Sequence, residues 1–328
     1  WVVRKPFGSH VVSAVAESDY DRVASAAFDA DQSLAEMLIA ACARHGDRPA
    51  FTNLGRTLSF REIDRQSADL AAWLRHGLKL APGERVAIML PNVLQYPVAL
   101  LALLRADLIA VLVNPLYTAR ELRHQLNDSG AKALIVLENF GAVAANAIAG
   151  TTVERVITTR VGDMLAWPKS WIVDFMLRHV KKLVPDFRID GAVSWQQALE
   201  SGATLPRMQP QAKADDTVQL QYTGGTTGVS KGAVLSHRAL IANGAACEQW
   251  IGRLIDPERD LGLVCLPIYH IAAYTYMLYA WAHGVHGVLI ANPRDIPGLV
   301  GAFRQYRPSL FSGVNTLYDA VYWAVITI

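Results

Sequence analysis

Apolar positions recur with two different periods along this chain of 328 residues. Near the start, Leu34, Met37, Leu38 and Ala41 form a helical stripe behind Ser33 and Glu36, a capping-box pair. Short runs at 50–53 and 57–59 flank Gly55 and predict a hairpin. Ser59 and Glu62 repeat the capping box and open a helix to about residue 76. Pro82 and Gly83 then turn the chain into a strand over 86–90. A helix over about 93–105, a strand over 109–113, a helix capped by Thr118 and Glu121, and strands over 133–137 and 153–158 follow. Apolar strands alternating with helices of this length predict an α/β fold, with mostly parallel sheets covered by helices on both faces.

Three further stretches stand out. Residues 261–293 contain no Asp, Glu, Lys or Arg, but Pro267, Gly284, Gly287 and three histidines interrupt them, so they divide into strand, loop, helix and strand rather than a membrane span. Residues 164–185 are amphipathic. Leu165, Ile172, Phe175, Met176, Val180 and Leu183 recur at helical spacing beside Lys169, Arg178, Lys181 and Lys182, with Trp167 and Trp171 near the start. Two readings stay open: a face docking on a membrane interface, or a helix packed on the domain with solvated lysines. Finally, Val218, Leu220 and Tyr222 alternate with Gln219 and Gln221, predicting a strand with one polar side, and a second short strand covers 233–235.

Between those two strands lie Thr223, Gly224, Gly225, Thr226, Thr227, Gly228 and Ser230, followed by Lys231 and Gly232. Glycines let backbone N–H groups converge on one concavity, hydroxyls donate to anionic oxygens, and a lysine adds a point charge. That combination suits phosphate binding. It is not the NTPase P-loop, because Ser230 stands where the second glycine belongs and Gly232 follows the lysine. Nor does it fit the dinucleotide fingerprint.

Net charge is +2 without a block of like charge, which argues against a nucleic-acid binder. A hydrophobic content of 52% supplies ample core material. Cys42, Cys247 and Cys265 share no C-x-x-C spacing and read as reduced thiols. The first residues show no signal-peptide pattern.

The stretch YTGGTTGVSKGAVLSH (222–237) strongly resembles the phosphate loop of the adenylate-forming (AMP-binding) acyl-CoA synthetases. LSFREI (58–63), LPNVLQYPVALLALLRA (90–106), NPLYTARELRHQLNDSGAKALIVL (114–137), LPIYHI (266–271), NPRDIP (292–297) and SGVNTLYDA (312–320) are similar to stretches of bacterial long-chain fatty acid–CoA ligases. The resemblance implies that family's N-terminal domain in truncated form. It implies an extension over 1–32, then an incomplete adenylation domain over 33–328, with sub-lobes of about 33–210 and 211–328. The family's C-terminal domain has no counterpart here.

It also implies the activity. A fatty-acid carboxylate attacks the α-phosphorus of ATP, pyrophosphate leaves, and the thiol of coenzyme A then displaces AMP. Lys231 and His270 are the implied catalytic residues. Thr223, Gly224, Gly225, Thr226, Thr227, Gly228, Ser230 and Lys231 are the implied ATP-phosphate contacts. Tyr269, His270, Gly313, Val314 and Asn315 line the implied acyl pocket, and Thr226 is a weak candidate ligand for Mg²⁺, whose main ligand is expected outside this sequence.

For His270 the alternative is a hydrogen-bonded core histidine among Tyr269, Tyr274 and Tyr276; for 313–315 it is an ordinary strand-to-helix turn. Two departures from the family are Asp107, where a glycine is usual, and Ala272-Ala273, where a bulky residue is usual. Asp tolerates the turn conformation better than most residues. The implied partners are fatty acid, ATP and CoA, with no nucleic acid, and a homodimer stays open. The implied location is cytoplasmic, or peripheral on the inner face of the membrane. Alternatives are an acyl–acyl carrier protein ligase, an aryl-acid ligase, or a fragment that binds ATP or fatty acid without turnover, and the chain alone is expected to be inactive or nearly so.

Overall fold

The computed structural model describes residue 29, residues 31–223 and residues 230–326. Most of the extension predicted over 1–32, and Gly224 to Gly228 of the loop, lie outside the described residues.

The chain runs α1 (Leu34–His45), β1 (Pro49–Asn53), β2 (Arg56–Ser59), α2 (Phe60–Ala72), β3 (Arg85–Met89), α3 (Gln95–Arg105), β4 (Ile109–Leu112), α4 (Ala119–Ser129), β5 (Ala133–Leu137), α5 (Gly141–Ile148) and β6 (Arg155–Thr159). It continues through α6 (Lys169–Phe175), β7 (Val193–Ser194), α7 (Trp195–Gly202), β8 (Thr217–Thr223), β9 (Lys231–Ser236), α8 (His237–Ile251), β10 (Leu261–Val264), α9 (Ile271–His283), β11 (His286–Leu289), α10 (Ile296–Tyr306), β12 (Leu310–Ser312) and α11 (Asn315–Ile326).

These strands build two sheets. One has seven strands in the order β7-β6-β5-β3-β4-β8-β9, the other five in the order β12-β10-β11-β1-β2. Each is parallel except for one antiparallel edge strand, β9 on β8 and β2 on β1. Successive residues of β3 bury into different cores. Val86 and Ile88 join a cluster that holds side chains of both sheets and α1, α2, α3 and α9. Ala87 and Met89 join a second cluster with Leu122 and Leu126 of α4 and Ala144 of α5. Burial on both faces explains why the parallel strands read as continuous apolar runs. Every residue of α3 is buried. A third cluster joins β10 and β12 to α10 and α11.

The predicted capping boxes at Ser33, Ser59 and Thr118 are present, and a fourth joins Ser194 to Gln197. Strand and helix boundaries fall within a few residues of those expected. The uncharged stretch resolves into β10, α9 and β11 as anticipated, and among the described residues no helix is long and apolar enough to cross a membrane.

Asp107 adopts a left-handed φ of 54°. Its carboxylate accepts hydrogen bonds from the backbone N–H groups of Gln211 and Ala212, each at 2.9 Å. Glycine could take the conformation but could not fasten the 211–212 segment that leads to β8.

Three sequence-based expectations need correction. Strand pairing crosses the expected sub-lobe boundary at about residue 210. The β1–β2 hairpin pairs with β11 in the five-stranded sheet, and β8–β9 pair with β4 in the seven-stranded one, because unfilled parallel edges are completed by distant strands. The alternation of β8 is broken by a register shift between Thr217 and Gln219. Val218 therefore joins the first core while Leu220 and Tyr222 pack on the second, and the supposedly polar side, Gln219 and Gln221, is buried. Lastly, the amphipathic stretch is not one packed helix. A short turn at Val161–Met164 leads to α6 and then to a wider turn at Met176–Val180. Several of its apolar residues face outward, with Trp167 84%, Trp171 63% and Val180 58% exposed, while Met164 is buried.

One buried and two half-buried histidines give the fold a pH dependence. Leu34 N–H donates to His237 Nδ1 at 2.9 Å, and the ring is buried. Burial holds the pKa of His237 below its ordinary value, and does the same for His45 and His286. The folded state therefore binds fewer protons than the unfolded chain. This stability is complete above the unfolded value of about 6.5 and declines as pH falls below it. Urea unfolding at pH 7.5 and 5.5 is expected to show a lower midpoint at 5.5. His237→Asn, which keeps an acceptor for Leu34 N–H, reduces that difference; an unchanged difference assigns it elsewhere.

Candidate functional site

Parallel α/β sheets present their ligand sites at the carboxyl ends of the strands. Here β8 ends at Thr223 and β9 begins at Lys231, and the two residues pair across the ladder. Both are exposed, while Ser230 is half-buried. The predicted phosphate-binding loop thus springs from a fixed rung with a cation on one side and a hydroxyl on the other. Thr226, Thr227 and the three loop glycines lie outside the described residues.

The residue before the rung anchors it. Tyr222 Oη donates to Asp128 Oδ2 at 2.5 Å, and burial together with that carboxylate pushes the phenol's pKa well up, so it stays protonated. Opposite Tyr222 stands Gly232, where a Cβ would come within 2.9 Å of the tyrosine ring. The glycine is required there by this close approach. His124 Nε2 donates to the Ser230 carbonyl at 3.2 Å, and the Tyr117 hydroxyl reaches the Ser230 side chain.

A second wall comes from the five-stranded sheet. The loop between β10 and α9 carries Tyr269 and His270, and three buried contacts from Asn92 hold it. Asn92 Nδ2 donates to the carbonyls of Val264 (3.1 Å) and Leu266 (2.9 Å), and Oδ1 accepts from Ile268 N–H (3.0 Å). Asn92 follows β3 of the other sheet, so this one side chain joins the carboxyl edges of both sheets. Gln221 adds a link from β8, donating to the Tyr269 carbonyl at 3.0 Å and accepting from Gln219 at 2.8 Å. Tyr269 is half-buried, and burial pushes its hydroxyl pKa up while Arg294 pulls it down.

His270 is exposed at the N-terminus of α9. The core-histidine alternative therefore fails: Tyr274 occupies the interior instead, fully buried, because the α9 face turned inward begins one residue past Ala272. Gly313 is half-buried with Val314 and Asn315 exposed, just past β12, whose Ser312 pairs with Val264 of β10. The 313–315 segment and the His270 loop thus leave the same edge of the same sheet.

The sequence reasoning missed Asn92, Gln221, His124, Tyr117 and Asp128. Buried amides inside apolar stretches were the available signal for Asn92 and Gln221, because a buried polar side chain must find partners.

The thiols take no part. Burial pushes Cys42 and Cys265 up to about 12, so they stay protonated. A cleft of about 460 Å³ lies elsewhere, lined by Glu138, Arg160, Asp174, Trp171 and Phe175 among others. It sits at the ends of β5 and β6, and three strand steps of about 4.8 Å place β5 on the order of 14 Å from β8. It is thus distinct from the rung.

The AMP-binding enzyme family model matches residues 38–324. The long-chain-fatty-acid–CoA ligase of Salmonella typhimurium is 46% identical over 294 residues, 89% of this chain and 52% of that protein. That of Yersinia pestis is 42% identical over 322 residues, 98% of this chain and 55% of that protein. The crystal structure of a long-chain-fatty-acid-CoA ligase from Archaeoglobus fulgidus superposes with a TM-score of 0.71 at 22% identity, covering 90% of this chain and 54% of that one. The chain spans about half the length of the curated relatives it matches. With its two helix-flanked, mostly parallel sheets and the matched glycine-rich segment, the chain belongs to the AMP-binding enzyme family.

Proposed function

We propose that this chain forms the phosphate- and acyl-binding portion of a long-chain fatty acid–CoA ligase. The observation that carries the reading is the Thr223–Lys231 rung, with its exposed ammonium, on the edge that the Tyr269–His270 loop shares through Gln221. The fatty acid is already a carboxylate at neutral pH and needs no general base. Its oxygen attacks the α-phosphorus of ATP, the bond to the bridging oxygen breaks, and pyrophosphate carries away the electron pair. Lys231 stabilises the charge that builds on the departing phosphates, with Thr223 and Ser230 donating hydrogen bonds and Thr226 and Thr227 assigned the same task. His270 orients the carboxylate, and Gly313, Val314 and Asn315 border the alkyl chain. CoA thiol then displaces AMP.

Among the described residues no group of three His, Cys, Asp or Glu could hold a metal. Thr226, the weak candidate ligand, lies outside the described residues, and Mg²⁺ commonly arrives on nucleotide phosphates with few protein ligands. The ion would share the phosphates' negative charge.

The test is ATP–pyrophosphate exchange by the ligase containing this chain, with fatty, aryl and acyl-carrier-protein-linked acids as a panel. Exchange driven by long-chain fatty acids is expected, and exchange driven only by aryl acids overturns the assignment.

The same reading extends to peripheral membrane binding through 164–185. The exposed Trp167, Trp171, Ile172, Phe175 and Val180 offer apolar surface, and Lys181 and Lys182 supply charge for anionic headgroups. A membrane is also where an insoluble acyl substrate resides. Liposome co-sedimentation of the chain is expected to drop in the Lys181/Lys182→Glu variant; equal pelleting refutes the contact.

A further inference from the structure

We infer that α4 is the positioning element of the phosphate-binding rung: Asp128 fixes the strand that enters it and His124 the segment that leaves it. The inference rests on the phosphate role proposed above for the rung.

The geometry is a clamp on both limbs. Asp128 accepts from Tyr222 Oη at 2.5 Å, a charge-assisted bond, immediately before Thr223. The Tyr222 ring lies against Gly232, so this one side chain spans from α4 across β8 to the residue after Lys231. His124 stands four residues before Asp128, on the same face of the helix, and donates to the Ser230 carbonyl at 3.2 Å. Tyr117, just ahead of α4, reaches the Ser230 side chain. The helix thus touches the residue before Thr223 and the residue before Lys231.

A clamp positions only if it is itself fixed, and α4 is. Its N-terminus is closed by the Thr118–Glu121 capping box. Leu122 and Leu126 are fully buried in the core beneath the seven-stranded sheet. Gln125 Nε2 donates to the Leu112 carbonyl of β4, the neighbour of β8, at 2.9 Å. Sliding the rung relative to β4 therefore breaks contacts on two successive turns of α4. None of these α4 side chains is hydrogen-bonded to an acyl-pocket residue among the described residues, and β8 meets the Tyr269 carbonyl through Gln221 at 3.0 Å, so the larger effect falls on the nucleotide and a smaller one on the fatty acid.

The experiment uses the ligase containing this chain, with Asp128→Ala, Asp128→Asn, Tyr222→Phe and the Asp128→Ala/Tyr222→Phe double variant. Pyrophosphate exchange gives kcat and the KM values for ATP and palmitate. Asp128→Ala and Tyr222→Phe each lower kcat/KM for ATP by about tenfold or more, the scale of one lost hydrogen bond to a charged group. The double variant costs no more than either single one, since they break the same bond. Asn keeps an acceptor and recovers most of the loss. KM for palmitate changes several-fold less than kcat/KM for ATP. Equal losses for both substrates, or additive losses in the double variant, overturn the inference, since a merely structural role would produce them.

Hydrogen exchange of the Lys231–Ser236 amides in the chain itself supplies a second readout that needs no nucleotide. Faster exchange in Asp128→Ala is expected, and unchanged exchange overturns the clamp. Faster exchange in a protein that never forms an adenylate refutes the proposed activity while leaving the mechanical clamp standing.

Discussion

Replacing Lys231 by alanine lowers acyl-adenylate formation by about 100- to 1,000-fold, the cost of removing one preorganised group from a developing charge. The expectation follows from position. Lys231 opens β9, pairs with Thr223, and projects from a rung whose neighbours Tyr222 and Ser230 are tied to α4. Its backbone is therefore fixed at the end of the β8–β9 ladder before substrate arrives, so little backbone reorganisation is needed as the leaving pyrophosphate gains charge. Arginine keeps the charge but spreads it over a planar fork that cannot sit as a point, so Lys231→Arg recovers only part of the rate. The measurement is ATP–pyrophosphate exchange in the enzyme containing this chain. An undiminished rate in Lys231→Ala removes the residue from the phosphate site.

Asn92→Ala is expected to cause a large loss of stability for a single polar side chain. It leaves the Leu266 carbonyl and Ile268 N–H without a partner and takes one of two donors from the Val264 carbonyl, which also accepts from Ile290 N–H, in a place where Asn92 itself is 3% exposed. Each buried polar group left unpaired costs about 1–3 kcal/mol, and water entering the vacated space offsets part of it, so the net loss is about 3 kcal/mol. For a domain of this size the melting temperature falls by roughly 5–10 °C. Asn92→Asp fares no better. A carboxylate can still accept from Ile268 N–H, but its second oxygen faces two carbonyl oxygens with no proton to share. Catalysis suffers as well, because these bonds hold the loop that carries Tyr269 and His270. Thermal unfolding of both variants, with the alanine form also assayed for exchange, checks this. A melting temperature within a degree of the parent contradicts the pinning role.

The capping boxes at Ser33, Ser59 and Thr118, the hairpin at Gly55 and the strand at β5 are local facts. Each needs only residues within a few positions of one another, so the sequence by itself determined them, together with the α/β class that their alternation implies. The glycine- and hydroxyl-rich segment before Lys231 was legible for the same reason, as composition concentrated in one stretch.

Only the tertiary structure decided which strands complete which sheet. β11 pairs with β1 across more than two hundred residues, and no local signal encodes that neighbour. It also decided the fate of ambiguous residues. His270 faces solvent and Tyr274 the core, although both lie in one aromatic run. Trp167, Trp171, Ile172, Phe175 and Val180 face outward although Met164 of the same stretch is buried in the core, a division their periodicity could not supply. Asn92, Gln221, His124 and Asp128 gain their roles from partners 48 to 176 positions away in the chain. A hydrogen bond is fixed by distance and angle in space. Sequence shows that a polar group needs a partner, and the packed fold alone supplies which one it finds.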